Sequence, residues 1–196
     1  MKQLAIFVSG SGTNMENLVL KIRERRMACH PAVVLCDKPG AKALERAAQL
    51  GVPAVLLDRK TFASKELFEQ AISAELEKRK IDFVALAGFM RILSADFVKR
   101  YQGRLINIHP SYLPAFPGAH AIKDAFDAKA SETGVTVHFV TPEVDAGPVI
   151  LQRKVPVLSE DTLETLEARI HAVEYELYPD ALGLICTGKV SFTLSS

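Results

Sequence analysis

The chain has 196 residues, 24 Lys+Arg against 23 Asp+Glu for a net charge of +1, and 48% hydrophobic residues. This composition excludes disorder, and the near-zero charge excludes a protein drawn to nucleic acid or anionic membrane by its overall field. Three widely spaced cysteines, Cys29, Cys36 and Cys186, without a C-x-x-C, argue against a disulfide framework or a zinc site and point to a reducing, cytoplasmic setting.

A length of this order fits one domain over residues 1–196. Leu4–Val8 is a continuous apolar run, too short for a signal-peptide core, and reads as a strand buried on both faces. A Gly-rich loop, Ser9–Asn14, leads into a helix from Met15 to Arg25, with Met15, Leu18 and Ile22 at helical spacing. Glu16 in its first turn and Lys21, Arg23 and Arg25 near its end complement the helix dipole. Ala32–Cys36 is a second strand, and Ala41–Leu50 a helix stopped by Gly51. Ala54–Leu57 is a third strand and Ser64–Lys80 a longer helix. Phe83–Ala87, a short helix at Ala95–Tyr101 and the strand Leu105–Ile108 follow. Pro110, Pro114, Pro117 and Gly118 mark a long loop before a helix at Ala121–Ala130. Val135–Val140 and Val149–Val157 look like a hairpin. Leu163–Tyr178 is a helix that Pro179 is expected to break, ahead of a tail strand at Val190–Leu194.

This alternation specifies an α/β fold: a Rossmann-like, mainly parallel sheet with helices on both faces and a mixed C-terminal hairpin. Sites in such sheets lie beyond the carboxyl ends of the strands. Ser9–Asn14, Gly88–Leu93, Asn107–Ser111 and Thr141–Asp145 each occupy such an end and should converge.

Gly10 and Gly12 fit a dinucleotide fingerprint, but its third glycine falls on Met15; Asp37 stands where a ribose-binding acid would be. A single-phosphate cradle at the helix start is the favoured reading, with a dinucleotide site and a plain tight turn beside it. Asn107 and His109 are two apart on an emerging strand, so both side chains point the same way. An amide donor and an imidazole aimed at one atom suit a developing oxyanion in acyl transfer. Asp145 supplies a carboxylate to fix the imidazole tautomer. Taken alone, each of the three reads more readily as a turn cap or surface residue; together, at strand ends, they read as a site. His138 is either a satisfied strand histidine or a group behind the site, and His171 and Glu174 share either a solvated helix face or a pocket wall. His30 and His120 read as surface residues, no metal spacing is present, and Ser9 and Ser11 lie outside a G-x-S-x-G elbow.

The segments Ser9-Gly10-Ser11-Gly12-Thr13-Asn14, Ala87–Leu93, Asn107-Ile108-His109-Pro110-Ser111 and Asp145–Ile150 resemble the phosphoribosylglycinamide formyltransferases, folate-dependent enzymes of purine synthesis with the formyltransferase fold. The resemblance runs over essentially the whole chain. It implies Asn107, His109 and Asp145 as catalytic residues and Gly12, Thr13 and Asn14 as the phosphate loop of the acceptor, phosphoribosylglycinamide, with Glu174 on its ribose hydroxyls. It further implies a pocket for 10-formyltetrahydrofolate at Met90, Arg91, Ile92, Leu93 and Asn107 and at Thr141, Pro142, Glu143, Val144 and Asp145, largely through backbone groups. Lys65 stands where a family Arg reaches the folate, Tyr112 where Leu is usual, and Pro142 where an acidic residue is common. The resemblance implies a cytoplasmic monomer or homodimer with small-molecule substrates, no metal, and no nucleic-acid or membrane partner. A formyl-folate hydrolase of the same fold and a nucleotide-binding module are the alternatives.

Overall fold

The computed structural model describes residues 1–192 of the chain. Seven strands form one sheet: β1 (Lys2–Val8), β2 (Cys29–Cys36), β3 (Ala54–Leu56), β4 (Phe83–Leu86), β5 (Leu105–His109), β6 (Glu132–Phe139) and β7 (Val149–Pro156). Their order is β3-β2-β1-β4-β5-β6-β7. The first five strands run parallel, and β5–β6 and β6–β7 pair antiparallel. The expected parallel sheet with a mixed C-terminal hairpin is therefore present.

Strand alternation divides the apolar residues between two cores. Leu4, Ile6 and Val8 of β1 face one side, where they meet Met15, Leu18, Leu166 and Ile170; Ala5 and Phe7 face the other, against Phe68, Ile72 and Phe97. The first side is covered by α1 (Thr13–Glu24), α2 (Lys42–Gln49), α5 (Ala121–Asp127) and α6 (Leu163–Cys186), the second by α3 (Lys65–Lys78) and α4 (Ala95–Arg100). Burial on both faces explains why β1 and β2 read as unbroken apolar runs. Each fully buried Leu, Ile or Phe contributes roughly 1.5–3 kcal/mol relative to exposure.

Pro179 does not break the last helix. Leu163–Cys186 is continuous over 24 residues with Pro179 inside it. A proline leaves the carbonyl four residues earlier without its helical donor. That carbonyl belongs to Tyr175, and it accepts a hydrogen bond from Asn17 Nδ2 on α1 at 2.7 Å. The tail strand expected at Val190–Leu194 is irregular through Phe192, and its last two residues lie outside the described range. Among the described residues, no helix is long and apolar enough to cross a membrane.

Candidate active site

The strand order reverses between β1 and β4, and the loops after these strands meet there. Ser9, 7% exposed, accepts the Met90 N–H on its Oγ at 2.8 Å and donates its own N–H to Gly88 O at 3.1 Å. Two more buried polar side chains hold the same segment. Asp37, 1% exposed, accepts from Arg91 Nε at 2.5 Å. Glu69, buried on α3, accepts from Ser94 N at 2.7 Å and from the Ser94 hydroxyl. The 88–94 turn is thus tied at three points, while Met90 and Ile92 stay 70% exposed on its rim. Its partner across the cleft is the Thr141–Asp145 loop, and the cavity between them has a volume of about 310 Å³.

Asn107, His109 and Asp145 converge on the inner wall of this cavity. Asp145 Oδ2 lies 3.6 Å from His109 Nδ1 and accepts the Gly118 N–H at 2.8 Å. His109 Nε2 donates to Phe116 O at 2.9 Å. Asp145 has a left-handed backbone, φ 54, a conformation costing an L-residue roughly 1–2 kcal/mol. Behind the trio stands His138, 2% exposed and the register partner of Asn107. Burial pushes its pKa below the usual range, so the ring is neutral at pH 7. Its Nδ1–H donates to Phe139 O at 2.9 Å, which leaves Nε2 to accept from Asn107 Nδ2 at 3.2 Å. One Asn107 N–H is spent on this bond, and the amide orientation is fixed.

Gly147 closes the loop that carries Asp145. A Cβ there would lie 1.7 Å from Phe139 O, so only a bare backbone passes. Gly12 is constrained as tightly: it caps α1 at φ 75, and a Cβ would sit 2.7 Å from Ala43 Cβ. No side chain caps α1, so its first N–H groups are free donors at the positive end of the helix dipole. Asn14 follows, with Nδ2 donating to Glu174 Oε2 at 2.9 Å and Oδ1 buried without a partner.

Gly12, Thr13, Asn14 and Glu174 form a cluster of their own beside the cavity rather than part of its wall, joined to it through Ser9. Met90, Arg91, Ile92, Leu93, Thr141, Pro142, Glu143 and Val144 all line the cavity; Lys65, at the start of α3, does not. The Met90 N–H is taken by Ser9 and is not a free donor. Asp37, weighed as a ribose acid, is committed to Arg91, which removes that support for a dinucleotide site. Tyr112 lies over Gly134 and beneath Lys154, whose Nζ is 5.4 Å from the ring centroid, on the hairpin rather than in the cavity. Sequence reasoning missed Glu69 and the donors and acceptors at Gly118 and Phe116. Among the described residues, no group of three or more His, Cys, Asp or Glu is placed to hold a metal ion.

Residues 2–182 match the formyl transferase family. A phosphoribosylglycinamide formyltransferase of Bacillus subtilis (strain 168) is 42% identical over 182 residues, 93% of each chain. The trifunctional purine biosynthetic protein adenosine-3 of Drosophila melanogaster is 42% identical over 189 residues, which are 95% of this chain and 14% of that protein's length. The crystal structure of glycinamide ribonucleotide transformylase 1 from Geobacillus kaustophilus superposes with a TM-score of 0.92 at 49% identity, covering 95% of this chain and 99% of that one.

Proposed function

The chain belongs to the formyl transferase family, and from that premise we propose that it transfers the formyl group of 10-formyltetrahydrofolate to the glycine amine of phosphoribosylglycinamide in purine biosynthesis. The observation that carries this reading is the convergence of Asn107, His109 and Asp145 on one wall of a cavity whose rim is apolar. The amine attacks the formyl carbon and forms a tetrahedral intermediate. Asn107, through its remaining amide N–H, stabilises the oxyanion, and the His109 ring joins it when its Nε2–H turns from Phe116 O to the substrate. Asp145 orients His109 and, through a water, moves a proton from the attacking amine to the departing folate nitrogen. The C–N bond to the folate then breaks and the formamide product leaves. Both substrates meet in one cleft, so proximity supplies part of the acceleration.

The free amides of α1 at Gly12–Asn14 bind the acceptor phosphate, and Glu174 takes the ribose hydroxyls. Support comes from Asn14 Oδ1: an unsatisfied buried acceptor costs about 1–3 kcal/mol, and a donor on a bound ligand relieves it. The cavity from Met90 to Leu93 and from Thr141 to Asp145 holds the folate, with Lys65 reaching its outer end. The reading includes one domain over 1–196, no metal, two small-molecule substrates, and a cytoplasmic monomer or homodimer.

An absorbance assay of formyl-folate turnover, with and without phosphoribosylglycinamide, tests it. Turnover that requires the acceptor and yields its formamide supports the transferase. Formate release at the same rate without acceptor makes the protein a hydrolase instead.

A further inference from the structure

Glu174 is 3% exposed, yet two donors reach it, both on the same oxygen. Asn14 Nδ2 is 2.9 Å from Oε2, and His171 Nδ1, one turn earlier on α6, is 2.8 Å from it. Among the described residues, no hydrogen bond reaches Oε1. The His171 side chain is 45% exposed, and its ring stacks on Tyr175 with centroids 6.4 Å apart. A carboxylate this buried requires a countercharge or several donors. Asn14 is neutral, so His171 is the group here that supplies charge.

We propose that His171 is a positioning residue for the acceptor substrate: as an imidazolium it fixes the Glu174 carboxylate with Oε1 turned to the ribose diol, so acceptor affinity falls as His171 loses its proton. This rests on Glu174 as the ribose ligand. The charges facing His171 are Glu174 and Glu167, both on α6, while α1 presents the neutral amide of Asn14. The hydrogen bond to Glu174 raises the imidazole pKa above its ordinary value, so the charged form persists toward neutral pH. A neutral ring still donates through Nδ1, but the buried carboxylate then has no countercharge. Glu174 is then held less firmly.

The test is calorimetric binding of phosphoribosylglycinamide to wild type, His171→Gln and His171→Ala from about pH 6 to pH 9, a range spanning the imidazole titration. The Gln variant keeps a donor that does not titrate, and the substrate's own titrations cancel in the ratio of affinities. Wild type should bind about 2- to 5-fold more tightly than His171→Gln at the acid end, the scale of one partly exposed ion pair, and the advantage should vanish at the alkaline end. His171→Ala should be weaker than both throughout, and KM for formyl-folate should stay unchanged in all three. A ratio independent of pH overturns the proposal. Glu174→Gln separates the two levels: if it binds the acceptor as wild type does, the ribose assignment of Glu174 fails and the role of His171 with it. If it binds weakly while the His171 ratio stays flat, only the role of His171 fails.

Discussion

Asn107 and His138 face each other across β5 and β6, with the amide nitrogen of one 3.2 Å from Nε2 of the other. The bond needs a neutral imidazole, because a protonated Nε2 would meet the amide donor as a second donor. Burial keeps the folded-state pKa of His138 below the unfolded value, so this ring favours folding above about pH 6.5 and ceases to do so as pH falls. Urea unfolding of wild type and His138→Asn should show the wild type losing stability faster on acidification. Parallel curves from neutral pH to pH ~5 would remove His138 from the acid sensitivity.

Asp145→Asn keeps an oxygen for the Gly118 N–H and removes the charge beside His109. The expected outcome is a loss in kcat of about 10²-fold or more with both KM values near wild type. Steady-state kinetics in each substrate checks this; near-normal kcat would take Asp145 out of the chemical step.

Asp37→Asn removes the charge that Arg91 pairs with at 2.5 Å. Arg91 is exposed enough to be rehydrated, so the protein should fold and one point of the 88–94 turn should loosen. KM for formyl-folate should rise about 3- to 10-fold, the scale of one ordinary hydrogen bond, because the substrate feels the loss only through the turn, while KM for the acceptor moves little. Equal changes in both would place the effect elsewhere.

Asn17→Ala leaves the Tyr175 carbonyl without a donor and should cost about 1–3 kcal/mol. Pro179→Ala restores the helical N–H that this carbonyl lacks. In that background Asn17→Ala should cost much less, and thermal melts of the four proteins would give a coupling of about 1 kcal/mol or more. Additive losses would mean that Asn17 does not compensate for the proline.

A variant with Cys29, Cys36 and Cys186 all replaced by Ala should retain its kcat, since none of the three lines the catalytic cavity. A folded but inactive triple variant would reveal a thiol in the reaction.

The strand and helix order was legible because apolar runs and glycine stops are local signals, and element ends differ from the sequence reading by only a few residues, except that the last helix runs on past Tyr178 to Cys186. The trio was legible because Asn107 and His109 end a strand and Asp145 follows one. Compensating contacts between distant residues left no such trace. Pro179 reads as a breaker until Asn17, 158 residues before Tyr175, is placed beside it. Asp37 looks like a ribose acid until Arg91, 54 residues on, takes it. Glu69 looks like any helix-surface acid until Ser94 packs over it. His138 could be assigned only once the register of β6 against β5 was known.

For anyone building sequence libraries on this scaffold, the passage of Gly147 against the Phe139 carbonyl sets a boundary. Gly10 stands in the equally glycine-marked loop after β1, yet a Cβ there has nothing within 4 Å. Randomising position 10 samples new loop chemistry on an intact framework, whereas randomising 147 yields mostly misfolded clones. The two glycines look alike in the sequence and differ in how much diversity each position can carry.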